Sequence, residues 1–447
     1  MDTPICDFVA AYDRSRPLRL HMPGHKGKAY VGPEGGDITE IAGADELYHA
    51  RGIIKKSEEN AASLFGTERT LYSTEGSSLC IRAMVFLALL WGRKAGKKPL
   101  ILAGRNAHKT FLSACALLGA DVGWLYPERE SSMISCEITG PGLEKALSGR
   151  KDQPAAVYIT TPDYLGNTVD TAALSRVCRR HGTLLLIDNA HGAYLRFLPD
   201  DRHPISLGAD LCCDSAHKTL PVLTGGAYLH IGKGAPHVCG ENAERALALF
   251  ASTSPSYLIL QSLDSCNAIL SADFRGRLQR LAEHTAEMKE RLRRQGYDLV
   301  GSEPIKLTVA PKGYGYTGDG LHDLLRAQRM ECEFSDPDFL TAMLTPELTA
   351  EDLNRLETAL LCIPKKEPIS AAPPPLPRPE SAIPLREAML APARSLPVEE
   401  ALGCVLAEAQ VGCPPCIPII MSGEMIDRET IACFQYYGIR TCSVIDA

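Results

Sequence analysis

Between about Glu68 and Ile231, short apolar runs alternate with longer stretches whose apolar residues recur at helical spacing. "KPLILAG" ends at Gly104, "AAVYIT" at Thr160, "TLLLID" at Asp188, "ADLCCD" at Asp214 and "GAYLHI" at Ile231. Each run is only a few residues long, is apolar on both faces, and gives way to polar or small residues. A strand apolar on both faces must be covered on both, and intervening helices supply the cover, so the pattern predicts a parallel α/β sheet. Ligands of such sheets bind beyond the carboxyl ends of the strands. The residues that follow each run are therefore the candidates for chemistry.

Further along, Leu278, Leu281, Met288 and Leu292 recur at roughly helical spacing within 274–296, with charges between them and Gly296 as a C-cap, which predicts a long connecting helix. "PIKLTVA" (Pro304–Ala310) opens a second, smaller α/β unit that closes on "TAEDLNRLETALLCI". The proline-rich stretch "PKKEPISAAPPPLPRPESAIP" has no period and reads as an extended linker before a short C-terminal module. The expected organisation is an N-terminal arm (1–45), a large domain (46–302), a small α/β domain (303–364), a linker (365–384) and a C-terminal domain (385–447).

Composition narrows the class. Hydrophobic residues make up 45% and charged residues 23% of 447 residues, an ordinary globular balance. A net charge of -7 supplies no basic surface for nucleic acid or anionic membrane. The N-terminus lacks a signal-peptide pattern, and the longest apolar run, Ala83–Trp91, is too short to span a bilayer, so a cytoplasmic protein is expected. The 16 cysteines are scattered, and a chain this long needs no disulfide staples, so they read as reduced thiols.

At the strand ends the polar residues cluster. Asp188 follows "LLLI" directly, and a carboxylate there has lost water and needs a partner. Capping explains a lone Asp, but "DNAH" adds His191, and "DSAHK" adds Ser215, His217 and Lys218 at the next strand end. "STEGSS" (Ser73–Ser78) precedes a helical run. Gly76 permits a tight turn, and Ser77 and Ser78 offer hydroxyls and N–H groups at a helix start, suited to a phosphate. Such a motif alone is usually only an N-cap. "RNAHKT" puts His108 beyond "LILAG", where a single His is more often a hydrogen-bonded core residue. Together, a phosphate cradle, a strand-end Asp, a strand-end Lys and an intervening His fit pyridoxal 5'-phosphate, with the Lys as the Schiff-base amine, the Asp on the pyridinium nitrogen and the helix N-terminus on the phosphate.

The chain resembles the Orn/Lys/Arg decarboxylase family through "LHMPGHKG", "FGTERTLYSTEGSS", "RNAHKT", "TPDYLGNTVD", "IDNAHGAYLRF", "DSAHKTLPVLTGGAYLH", "STSPSYLILQSLD", "PIKLTV" and "MLTPELTAEDL". These cover most of residues 20–360. The resemblance implies an aspartate-aminotransferase-like (PLP fold type I) large domain with a mostly parallel seven-stranded sheet, plus small α/β C-terminal domains. It implies that Lys218 carries the cofactor covalently, Asp188 keeps the pyridine nitrogen protonated, His108 stacks on one ring face and Ala190 packs on the other. Ser77, Ser78, Ser215 and His217 would bind the phosphate or support Lys218, with Gly76 and His191 also among the cofactor-binding residues. Ser254, in "TSPSY", would reach the phosphate of a neighbouring subunit, so a homodimer or larger homo-oligomer is implied. Glu333, in "ECEFSDPDF", would face the distal cation of the substrate, with Glu424 as the alternative.

The implied activity is α-decarboxylation of a basic amino acid, arginine first, then lysine or ornithine. An aminotransferase or lyase on the same fold, or a catalytically silent paralogue acting as a binding or regulatory subunit, are the alternatives. The chain departs from the family in its C-terminal module. Cys413 and Cys416 stand where the family usually has Tyr and Gly, and Ser422 replaces the Pro of Pro-Gly-Glu. One CxxC pair is weak ground for zinc, and no metal is expected.

Overall fold

The computed structural model describes residues 1–128, 132–408 and 415–446. Seven strands form the large sheet: β1 (Arg69–Ser73), β2 (Leu100–Gly104), β3 (Asp121–Leu125), β4 (Ala156–Thr160), β5 (Leu184–Asp188), β6 (Leu211–Asp214) and β7 (Ala227–Ile231). Their spatial order is β1-β7-β6-β5-β4-β2-β3. All five runs predicted as strands are present. One differs in direction: β7 runs antiparallel to both β6 and β1. Residues 215–226 hold a one-turn helix (Ala216–Thr219) and a turn. They contain no crossover helix, so the chain doubles straight back beside β6.

The chain divides into two compact units. The first comprises Met1–Lys98, Lys151–Ile159 and Thr171–Arg277. Every residue of β5 and of β7 is buried. The helix Gly76–Lys94 is long and apolar enough by composition to cross a bilayer, but it buries Leu79, Ala83, Met84, Leu87 and Ala88 in this core. The helix Thr171–Arg180 shows why the helical stretches cover the sheet: Leu174, Val177 and Cys178 lie on one buried stripe, while Arg179 and Arg180 are exposed.

The second unit comprises Pro99–Arg150, Thr160–Asp170 and Leu278–Ala447. Beyond β2 and β3 it contains an antiparallel sheet ordered β10-β11-β9-β8, from β8 (Asp298–Val300), β9 (Lys306–Ala310), β10 (Phe334–Ser335) and β11 (Leu340–Met343). A three-stranded sheet of β12 (Ala393–Pro397), β13 (Leu406–Glu408) and β14 (Thr441–Ile445) packs Val398, Leu406, Ile420, Phe434 and Val444 into a core of its own. The proline-rich stretch contains no helix. It runs extended and is pinned along its length: Ile369 N–H donates to Lys312 O (3.0 Å), and Ala382 N–H to Gly423 O (2.8 Å). The long helix spans Phe274–Gln295, with Leu278, Leu281, Met288 and Leu292 all buried. Among the described residues every cysteine is free.

Candidate functional site

In the first unit, β5 and β6 end side by side and bring five of the expected residues to one rim. Asp188, the last residue of β5, is 3% exposed. Tyr158 O–H donates to its Oδ2 (2.8 Å), Ala190 N–H to its Oδ1 (3.1 Å), and the Cys213 thiol approaches Oδ1 at 3.6 Å. All three donors are neutral, so the hydrogen bonds orient the carboxylate without neutralising it. Lys218 sits in the one-turn helix after β6, with Nζ 2.9 Å from Nε2 of the buried His191. An imidazole nitrogen this close can take a proton from the amine, which suits a reactive lysine.

The Ser73–Ser78 loop faces the same strand end. Gly76 opens the helix Gly76–Lys94 at φ +71°, a left-handed conformation that favours glycine, and a Cβ added there would meet nothing within 4 Å. Its N–H donates to Gly225 O (2.7 Å). Gly225, at φ +100°, lies so close that a Cβ on it would stand 2.9 Å from Thr74 O. The glycine pair after Lys218 therefore permits the close backbone approach that positions the serine loop. Ser215 O–H donates to Ser77 Oγ (2.8 Å), so two hydroxyls and the positive end of a 19-residue helix share one open space, with Ser78 in the helix's first turn. His217 is turned the other way: its Nδ1–H donates to Gly226 O (2.9 Å) and braces the turn. Ser254 is exposed, in a segment tied back to the serine loop by Ser252 N–H donating to Glu75 Oε1 (2.7 Å).

Beneath this rim lies a cluster not singled out from the sequence. Asp214, the last residue of β6, is fully buried, and its Oδ2 accepts from Nε2 of both His203 (3.0 Å) and His230 (3.1 Å). Its Oδ1 accepts from Asn189 Nδ2 (2.7 Å), which ties the end of β6 to the residue after Asp188. Burial raises the Asp214 carboxyl, but the two imidazoles outweigh it and hold the acid well below the usual carboxylate range. The three side chains have the spacing of metal ligands. However, His203 Nδ1 accepts from Ile205 N–H (3.3 Å), which leaves the proton on Nε2, facing Asp214. Metal ligation through Nε2 would drive that proton against an N–H, so hydrogen bonding is the arrangement the donors favour.

In the second unit, His108 follows β2 and is the N-cap of the helix Lys109–Leu118; its Nδ1 accepts from Thr110 N–H (3.1 Å). Glu333 is half-buried, accepts from Tyr164 O–H (2.8 Å), and lines a cavity of about 440 Å³ with Met343, Leu344, Leu353 and Arg355. Glu424 is buried and committed: Arg105 Nη2 and Met421 N–H both donate to its Oε2 at 2.7 Å. Cys413 lies outside the described residues. Cys416 adopts φ +57°, a left-handed conformation that glycine accepts without cost.

A profile described as Orn/Lys/Arg decarboxylase, major domain, matches residues 3–312. An arginine decarboxylase of Bacillus subtilis (strain 168) is 30% identical over 96% of this chain and 92% of its own length. One from Halalkalibacterium halodurans is 29% identical with the same coverage. The Francisella novicida lysine decarboxylase LdcF superposes with a TM-score of 0.80 over 99% of this chain and 81% of that chain, at 18% identity, which carries the fold.

Proposed function

The chain belongs to the Orn/Lys/Arg decarboxylase family, and on that premise we propose that it is a pyridoxal-5'-phosphate-dependent α-decarboxylase acting on a basic amino acid, arginine first, as a cytoplasmic homodimer. The observation that carries the proposal is the pairing at one rim of a buried carboxylate that accepts from Tyr158 O–H and Ala190 N–H and a lysine whose Nζ lies 2.9 Å from the His191 imidazole. A carboxylate in that state fits a cationic ring nitrogen, and a lysine in that state fits an aldehyde. The open space at Gly76, with the Ser77 and Ser215 hydroxyls at a helix N-terminus, fits a phosphate. The three donor sets therefore match the three ends of the cofactor.

When bound, the cofactor supplies an electron sink for the pair left as the Cα–carboxylate bond breaks. The residues supply the rest. Asp188 holds a proton on the ring nitrogen. Lys218 offers its amine for covalent attachment, and His191 Nε2 accepts a proton from that amine or returns one. His108 and Ala190 are assigned to the two ring faces and Glu333 to the distal ammonium or guanidinium, in keeping with the family resemblance. The homodimer is supported by the exposed apolar residues of the arm, Leu18, Leu20, Met22, Tyr30 and Val31, and by the exposure of Ser254. The test is incubation with arginine, lysine and ornithine and mass detection of the product, alongside borohydride reduction and peptide mapping. The expected result is the amine with CO2 and a reduced cofactor on Lys218. A keto acid product, or a protein that stays colourless and unmodified with added cofactor, overturns the assignment.

A further inference from the structure

The helix Lys109–Leu118 is held at both ends by the C-terminal module. At its start, the backbone N–H of Lys109 donates to Cys416 O (3.0 Å); this is one of the first-turn amides that no helix can satisfy internally. At its end, the exposed Arg386 donates from Nη1 to Ala116 O (2.8 Å) and Leu117 O (3.0 Å), carbonyls of the last turn. Just before the helix, Arg105 donates to Glu424. Arg105 is 7% exposed, its guanidinium lies 5.1 Å from the Trp124 ring and 5.8 Å from that of Tyr126, and its Nε and Nη1 have no partner among the described residues. Glu424 is therefore what compensates this buried charge.

Between these anchors stands His108. Its ring is itself the N-cap, with Nδ1 accepting from Thr110 N–H, so the imidazole cannot keep its orientation if the helix shifts or frays. We propose that the C-terminal module is a clamp on this helix, with Arg105, Glu424 and Arg386 as positioning residues that fix the imidazole of His108. The functional half rests on the assignment of His108 to the cofactor ring. It gives a role to the module of residues 385–447, to which the proposed function assigns no chemical step, and accounts for the committed state of Glu424.

The experiment uses the full chain, with and without added pyridoxal 5'-phosphate. Arg386→Ala and Glu424→Gln are made in the native background and in His108→Asn, which keeps an N-cap acceptor but removes the ring. Arg386 is exposed, so its variant folds even if Glu424→Gln, which strands a buried cation, does not. The first readout is hydrogen exchange of residues 109–118 without cofactor, expected to quicken several-fold in Arg386→Ala while the strands keep their protection. The second is cofactor dissociation followed by absorbance, expected to be roughly five- to tenfold faster, the factor for a charge-assisted contact reduced by the solvent exposure of Arg386, in the native background and unchanged in His108→Asn. Equal acceleration in both backgrounds shows a merely structural module and overturns the proposal, as does unchanged exchange. A native protein that binds no cofactor refutes the proposed function instead, and the exchange readout still decides the clamp.

Discussion

Replacing Asp188 with Asn separates the site's charge from its shape. The carboxylate takes Tyr158 O–H on Oδ2 and Ala190 N–H on Oδ1. An Asn that keeps its Oδ1 toward Ala190 presents its NH2 to Tyr158, whose hydroxyl can turn to accept. The fold then loses the balance of about one neutral hydrogen bond, roughly 1 kcal/mol. What disappears is the negative charge at a site only 3% exposed, and with it the partner that the proposed function gives to a protonated ring nitrogen. Breaking a buried ion pair from one side costs about 3–5 kcal/mol, which in a step that sends electrons into the ring corresponds to roughly two to four orders of magnitude in rate. The assay is initial CO2 release at saturating cofactor, with urea unfolding of the same preparation. The expected outcome is a rate lower by that factor with a nearly unchanged unfolding midpoint. Activity within a few-fold of the native enzyme, at intact stability, would remove Asp188 from its assigned role.

Glu58, 7% exposed, is pushed up from 4.5 to about 8 by burial. Because the folded value exceeds the unfolded one, its contribution is full below about pH 4.5 and lost as pH rises through 8; Glu58→Gln should flatten the fall in urea midpoint between pH 5 and 9, and parallel curves would refute this. Cys416 holds φ +57°, so Cys416→Gly should be more stable than Cys416→Ala by about 1 kcal/mol, and equal unfolding midpoints would deny the left-handed conformation. Glu333→Gln leaves Tyr164 an acceptor but removes the charge, and kcat/KM for the basic substrate should fall by about ten- to a hundredfold with cofactor absorbance unchanged; native kinetics would make Glu333 a structural residue. Mixing Lys218→Ala with Ser254→Tyr should restore some activity if each site draws on two subunits, and none should return from heterodimers if it does not.

The strands and the residues at their ends were legible in the sequence. Burial on both faces of a strand is a local property that five apolar residues in a row announce, and a polar residue directly after them stands at the strand's carboxyl end wherever the sheet lies. Asp188, His191, Ser215 and Lys218 could be placed on one rim for that reason, and the motifs around them carried the family. Direction was not legible for β7, because "GAYLHI" is equally apolar whichever way it runs, and the connection before it decided the matter. The Asp214 cluster was also hidden: His203 and His230 are ordinary residues in sequence, and only the packing of a loop and β7 onto β6 turns both rings to one carboxylate. The contacts around His108 depend still more on the tertiary structure. Arg105 and Glu424 stand 319 positions apart and Arg386 and Ala116 stand 270 apart, and no periodicity extends over such separations. Local pattern determines which face of an element is buried; which charge a buried group meets is determined only when the chain returns to it.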